Sequence, residues 1–204
     1  MARKKLLLAS GLVAIAVLFS ACAKPPEMEM KEATAALEDV RNAVQADKWA
    51  PTEYAALKSS IDAAQAEIDA QGQKFALTRN YDKAKQMLVD AKAQADKLRI
   101  QAIANKEAAK QEASTRLQEA TAAIAAARDA LTKAPKTKDT RADIQLFTSD
   151  IDGLDASIGE VNNMISSEDY KGAAAKAAAI TQSANDISSK LMEAAEKAAS
   201  KRRR

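Results

Sequence analysis

The chain has 204 residues, 47% apolar, 29% charged and only 3% aromatic, with 5 Gly, 4 Pro, 1 Cys and no His. Nearly a quarter of it, 49 residues, is Ala, so long helices packed through small side chains are expected, and a β-sandwich or Rossmann-type sheet is not. The formal charge of +3 comes from the two ends, so it is no sign of a nucleic-acid surface; the missing His removes the usual general base, and a lone Cys excludes an intrachain disulfide or a thiolate metal cage.

Arg3, Lys4 and Lys5 precede an apolar run from Leu6 to Phe19, broken only by Ser10 and Gly11, and then Ser20, Ala21 and Cys22. This run falls short of the roughly 20 residues a helix needs to cross a bilayer, and the order of charge, apolar run and small residues is that of a secretory signal. Phe19-Ser20-Ala21-Cys22 resembles the bacterial lipobox, with Phe19 where Leu is usual. The resemblance implies cleavage before Cys22 and a covalent lipid on its thiol, with no other cofactor. Residues 1–21 are then a lipoprotein signal peptide and residues 22–26 a lipidated linker. Each buried CH₂ contributes about 0.8 kcal/mol, so more than one acyl chain gives stable anchoring. By resemblance to enterobacterial lipoproteins, Ala23 rather than Asp after the Cys implies the outer membrane, facing the periplasm. Without residues 1–21 the basic and acidic residues balance, and Lys201, Arg202, Arg203 and Arg204 form a cationic tail on an acidic body.

Lys24-Pro25-Pro26 reads as an extended spacer. From Glu27 to about Asp47, Met30, Ala33, Leu37, Val40 and Val44 make one stripe at alternating 3-4 spacing. Trp49-Ala50-Pro51-Thr52 turns the chain. A second helix aligns Tyr54, Leu57, Ile61, Ala64, Ile68, Gln71 and Phe75. After a turn at 78–82, a third aligns Ala84, Leu88, Ala91, Ala95, Leu98 and Ala102.

The scheme then repeats. EATAAL at Glu32 to Leu37 returns as EATAAI at Glu119 to Ile124, and the first stripe maps onto Leu117, Ala120, Ile124, Ala127 and Leu131. The second maps onto Ile144, Phe147, Ile151, Leu154, Ile158, Val161 and Ile165, the third onto Ala173, Ala177, Ile180, Ala184, Ile187 and Leu191. Asn80-Tyr81 returns as Asp169-Tyr170. The expected fold is all-α: an elongated antiparallel helical bundle or coiled coil of two three-helix units, 27–110 and 111–200, sharing one long helix, with 201–204 as a basic tail.

No helix breaker stands between Asp82 and Ala134, so the third helix should run into the fourth and extend about 80 Å at 1.5 Å per residue. Its stripe lacks large apolar residues between Ala104 and Arg116, where one seam hands over to the next, as a solvated connection or a hinge. With an odd number of helices per unit, Cys22 and the tail are expected at opposite ends of a spacer.

The Pro25-Pro26 start, the Ala-rich first helix, Trp49-Ala50-Pro51 with Tyr54, the Leu57/Ile61/Ala64 ladder and Asn80-Tyr81 with Ala84 resemble a bacterial lipoprotein family catalogued as a domain of unknown function. Its helical members begin just after the lipidated Cys and stand alone or ahead of an OmpA-like peptidoglycan-binding domain. The resemblance covers residues 24 to about 113 and implies an envelope setting without an activity.

Asp150, Asp152, Gly153 and Asp155 suggest a Ca²⁺ loop, but Asp155 and Val161 stand where an EF-hand needs Gly and Glu, and Ile151, Leu154 and Ile158 continue the helical seam. No phosphate-cradling Gly-rich loop, GxSxG elbow or HExxH pattern occurs. Trp49, Tyr81 and Tyr170 sit at helix turns, where they close a core rather than stack on a ligand. An enzyme is not expected. The cations Lys201, Arg202, Arg203 and Arg204 suit carboxylate or phosphate partners, or a solvated tail beside the helix dipole. The sequence therefore reads as a lipid-anchored envelope spacer or scaffold that presents its distal end to peptidoglycan or a protein partner. The alternative is a carrier holding an apolar ligand between Ala-rich helices.

Overall fold

The computed structural model describes residues 23–135, 137 and 140–202, with backbone alone at 201 and 202. In chain order the helices are α1 (Glu27–Val44), α2 (Ala46–Trp49), α3 (Pro51–Gly72), a 3-10 turn (Ala76–Thr78), α4 (Asp82–Lys133), α5 (Arg141–Ser166) and α6 (Tyr170–Arg202). No strand occurs among the described residues, and the fold is an all-α helical bundle. The chain forms two compact units that divide between Asn105 and Lys106, inside α4. That helix runs for 52 residues and is helical through positions 104–116.

In unit 1, α1 begins directly after Pro26, with Glu27 and Glu29 in its first turn where the helix dipole favours anions. It ends at Val44 rather than continuing to Asp47, because Gln45 turns left-handed at φ 52° and ψ 46°. Its N–H still donates to the Arg41 carbonyl at 3.0 Å. The reversal costs a non-glycine residue roughly 1–2 kcal/mol. In return it turns Ala46 and Trp49 into the core, 0% and 3% exposed, and a buried indole outweighs that cost. Pro51 then opens α3, where its missing N–H is no loss.

Leu57, Ile61 and Ala64 of α3 meet Ala33 and Val40 of α1 and the buried row Ala84, Leu88, Ala91, Ala95, Leu98 and Ala102 of α4. Burying a Leu or Ile this completely contributes roughly 1.5–3 kcal/mol. Met30, Leu37, Val44, Tyr54 and Ile68, at the edges of the seams, are half-buried. A carboxylate row on α1 faces cations on α4: Glu29 with Lys85 at 2.9 Å, Glu32 with Lys92 at 2.5 Å, and Asp39 with Arg99. These partners ascend together, so the two helices run parallel, and the seven-residue spacing of the cations is that of a coiled-coil flank. Between them α3 runs antiparallel to α4, as Ser60–Gln94 and Glu67–Lys83 show.

Unit 2 repeats the arrangement. Ala113, Ala120, Ile124 and Ala127 of α4 pack with Ile151 and Val161 of α5 and with Ala173, Ala177, Ile180, Ala184, Ile187 and Leu191 of α6. Every third-stripe position is thus buried in both units. Arg128 joins α4 to α5 through Asp152 and Asp155, Lys176 pairs with Glu160, and Lys106 with Glu168 at 2.7 Å. Tyr81 and Tyr170 are both buried. The residue before each Tyr caps the next helix: Asn80 Oδ1 accepts the Asp82 N–H at 2.7 Å, and Asp169 Oδ1 the Gly172 N–H at 3.2 Å.

The units part at the Gln45 reversal, which the matching stretch of α4 lacks, and again at the turn after the second helix. In unit 2, α5 continues to Ser166, and residues 167–169 make the turn. In unit 1, α3 stops at Gly72, and residues 73–81 form a loop around the 3-10 turn. Phe75 therefore does not join the seam: it is 71% exposed, whereas Ile165, its counterpart, lies half-buried in α5.

Candidate functional site

Cys22, residues 1–21, Arg203 and Arg204 lie outside the described residues. Lys201 and Arg202 close α6, and only their backbone is described. Asp150, Asp152, Gly153 and Asp155 all fall within α5, on a helical turn rather than a loop. Arg128 Nη2 donates to Asp152 at 3.0 Å and Asp155 at 3.1 Å, so those carboxylates serve an interhelical ion pair. Among the described residues, no cluster of three or more His, Cys, Asp or Glu side chains is arranged to hold a metal ion. No described helix is long and apolar enough to cross a membrane.

Trp49 is a core residue. Its Nε1 donates to Gln45 Oε1 at 3.3 Å, its carbonyl accepts from Asn105 Nδ2 at 2.8 Å, and Lys48 Nζ lies 4.8 Å from its ring centroid.

One end of unit 1, where the described chain begins, carries a recess beside a hydrogen-bonded loop. The recess, of about 430 Å³, is lined by Ala23, Pro26 and Glu29 on one side and by Arg79, Tyr81 and Lys85 on the other. The loop beside it is tied down atom by atom. The Thr78 N–H and hydroxyl both donate to the Phe75 carbonyl at 2.9 Å, and Arg79 Nε donates to the Lys74 carbonyl at 2.9 Å. Gln71, buried at the end of α3, accepts the Asn80 N–H at 3.2 Å and donates to Glu67 Oε1 at 2.8 Å. Lys83 Nζ completes the chain at Glu67 Oε2, 2.7 Å away.

These contacts hold the charges in place. The hydrogen bond from Lys83, then that from Gln71, keeps the Glu67 carboxyl below the usual carboxylate range, and the hydrogen bond from Lys85 does the same for Glu29. Hydrogen bonding to Glu29 and Glu32 raises Lys85 and Lys92 in turn. Out of the pinned loop project Phe75 and Leu77, 71% and 65% exposed, with Met28 exposed on the first turn of α1.

Two open grooves run along the helices. One of about 460 Å³ lies between α3 and α4, at Ala56, Ser60, Gln94 and Leu98. The other, about 450 Å³, lies between α4 and α6 in unit 2, at Ala126, Ala130, Leu191, Met192 and Ala195. The hydroxyls they contain are engaged: Ser60 donates to the Ala56 carbonyl at 3.0 Å and Ser188 to the Ala184 carbonyl at 2.9 Å.

Sequence periodicity alone missed the loop, because it carried the second stripe past Gly72 to Phe75. The signal was present: a glycine at the end of a periodic run marks a helix C-terminus. No family model, curated protein or solved structure matches this chain.

Proposed function

We propose that this is a non-enzymatic envelope protein, tethered by acyl chains on Cys22, whose helical units serve as a spacer or scaffold. Unit 1 is the membrane-side part in this reading, and unit 2 the part offered to peptidoglycan or a protein partner. One observation carries it: Arg3-Lys4-Lys5, the apolar run and Ser20-Ala21-Cys22 stand in the order a lipoprotein signal requires, and the first helix of the folded body starts at Glu27. Seams closed by alanines that are 0–2% exposed, such as Ala33, Ala64, Ala95 and Ala184, favour a structural role over carriage of a ligand between the helices.

Fractionation of cells making Cys22→Ala tests the anchor. The protein should move from the membrane to the soluble fraction, and an unchanged distribution would remove the proposal. Replacing Arg202, Arg203 and Arg204 with Gln should weaken salt-sensitive retention on the wall or partner if the tail binds there. Equal retention at every ionic strength would assign the tail to solvation.

A further inference from the structure

We infer that the loop from Lys74 to Arg79 is a second membrane contact, which inserts Phe75 and Leu77 among lipid headgroups beside the anchor. The inference rests on the reading of Cys22 as the acylated residue. Ala23, the next residue, lines the same recess as Arg79 and Lys85, so the loop and the start of the folded chain share one end of unit 1. One residue spans at most about 3.6 Å, so acyl chains seated in a bilayer would hold this end against the headgroups.

The chemistry of the loop fits that surface. Lys74-Phe75-Ala76-Leu77-Thr78-Arg79 places two large apolar side chains between two cations and includes no carboxylate. Glu67 and Glu29 on the neighbouring helices are matched by Lys83 and Lys85. Two exposed apolar side chains of this size are costly in water, and basic flanks favour an anionic headgroup layer. The hydrogen bonds around Phe75, Lys74 and Gln71 present the pair on a fixed backbone.

Comparison of the two units strengthens the case. Unit 2 continues its helix to Ser166, the counterpart of Ala76, and half-buries Ile165 where unit 1 exposes Phe75. The departure occurs only in the unit that adjoins Cys22.

The test uses the full-length gene product carrying Phe75→Trp, purified from membranes and reconstituted into vesicles with and without anionic lipid, some containing brominated acyl chains. Intact mass reports acylation separately. Trp49 serves as the internal control, since α3, 22 residues long, separates it from the loop by about 33 Å at 1.5 Å per residue. In the acylated protein the emission added at position 75 should shift to shorter wavelength and lose most of its intensity to bromine, while Trp49 does not respond. An acylated protein whose added emission stays water-like and unquenched overturns the membrane contact and leaves the anchor standing. Quenching without acylation overturns the anchor and leaves the contact. Absence of both removes both. A blue shift that grows with protein concentration and needs no lipid would assign the loop to a protein interface and overturn the inference.

Discussion

The side-chain carbonyl of Gln71 accepts the backbone N–H of Asn80 at 3.2 Å, closing the loop between α3 and α4 from inside the core. At the duplicated position in unit 2 stands Val161, fully buried and without a polar atom on its side chain. The difference follows from the turns. Residues 167–169 bond back to the end of α5 through Ser167, Glu168 and Asp169 N–H groups, whereas the longer loop at 73–81 leaves the Asn80 donor to a side chain. Gln71→Leu should therefore destabilise the protein by about 0.5–1.5 kcal/mol, the net contribution of a hydrogen bond whose donor water can still reach, and Val161→Gln, which buries an amide where no partner stands, by about 1–3 kcal/mol. Urea titrations of both variants check this. A gain in stability on Gln71→Leu would show that the amide does not close the loop.

Acid should loosen the same network. The folded-state pKa values of Glu67 and Glu29 lie below the ordinary 4.5, so their stabilising effect is complete above that value and is lost as pH falls through the folded-state values. Lys85 and Lys92 act in the opposite sense: raised above 10.5, they stabilise below that pH and lose their effect as it climbs through the folded-state values. Glu67→Gln keeps the side chain's shape and removes its charge. Its melting temperature should lie below that of the parent at neutral pH, and the two should converge in acid. A gap that stays constant with pH would mean that the Lys83–Glu67 charge pair is not linked to folding.

Much of the bundle is legible in the sequence. Spacing pairs Ala33 with Ala120, Ile61 with Ile151 and Leu98 with Ile187, and all six are buried. Hydrophobic periodicity reports which face of a helix meets a neighbour, and it did so well here because the seams are regular. It carries no information about backbone reversals driven by one large side chain. Gln45 is left-handed because Trp49 gains a core position, and neither Gly nor Pro marks the spot. The exposed loop was hidden for a related reason: Phe75 falls in phase with Ile68 and Gln71, so phase alone places it inside. Cys22 and the terminal arginines are readable as a pattern of residue types, and Arg203, Arg204 and Cys22 lie outside the described residues.

The glycines of unit 2 separate two effects of one substitution. Gly153 and Gly159 lie within α5, and a Cβ at either would meet nothing within 4 Å. Replacing either with Ala should stabilise the helix by about 0.5–1 kcal/mol through backbone entropy alone. Gly172 also lies in a helix, but a Cβ there would come closer than 3.0 Å to the Asp169 carboxylate and the Met164 methyl. The Asp169 carboxylate caps α6 by accepting the Gly172 N–H, and losing a cap costs about 1 kcal/mol. Gly172→Ala should therefore give no gain or a net loss, while the other two raise the melting temperature. Equal gains at all three positions would mean that the Asp169 cap contributes nothing.

Ile151 offers the most direct check on the second core. Its side chain is 1% exposed at the middle of α5, among the largest fully buried groups in the chain, and its turn of helix carries Asp152 outward to Arg128. Ile151→Ala removes methyl groups that the surrounding alanines cannot replace, and should cost about 2–5 kcal/mol. Ile151→Asp sets an unpaired carboxylate against Ala-rich faces, so it should cost at least as much, or keep its proton at a similar price. The same change at Asp150, exposed on the neighbouring turn position, to Ala should alter stability by less than about 0.5 kcal/mol. Melting curves of the three variants at neutral pH provide the comparison. If Ile151→Asp melts with the parent protein, the α5 seam has been assigned to the wrong face.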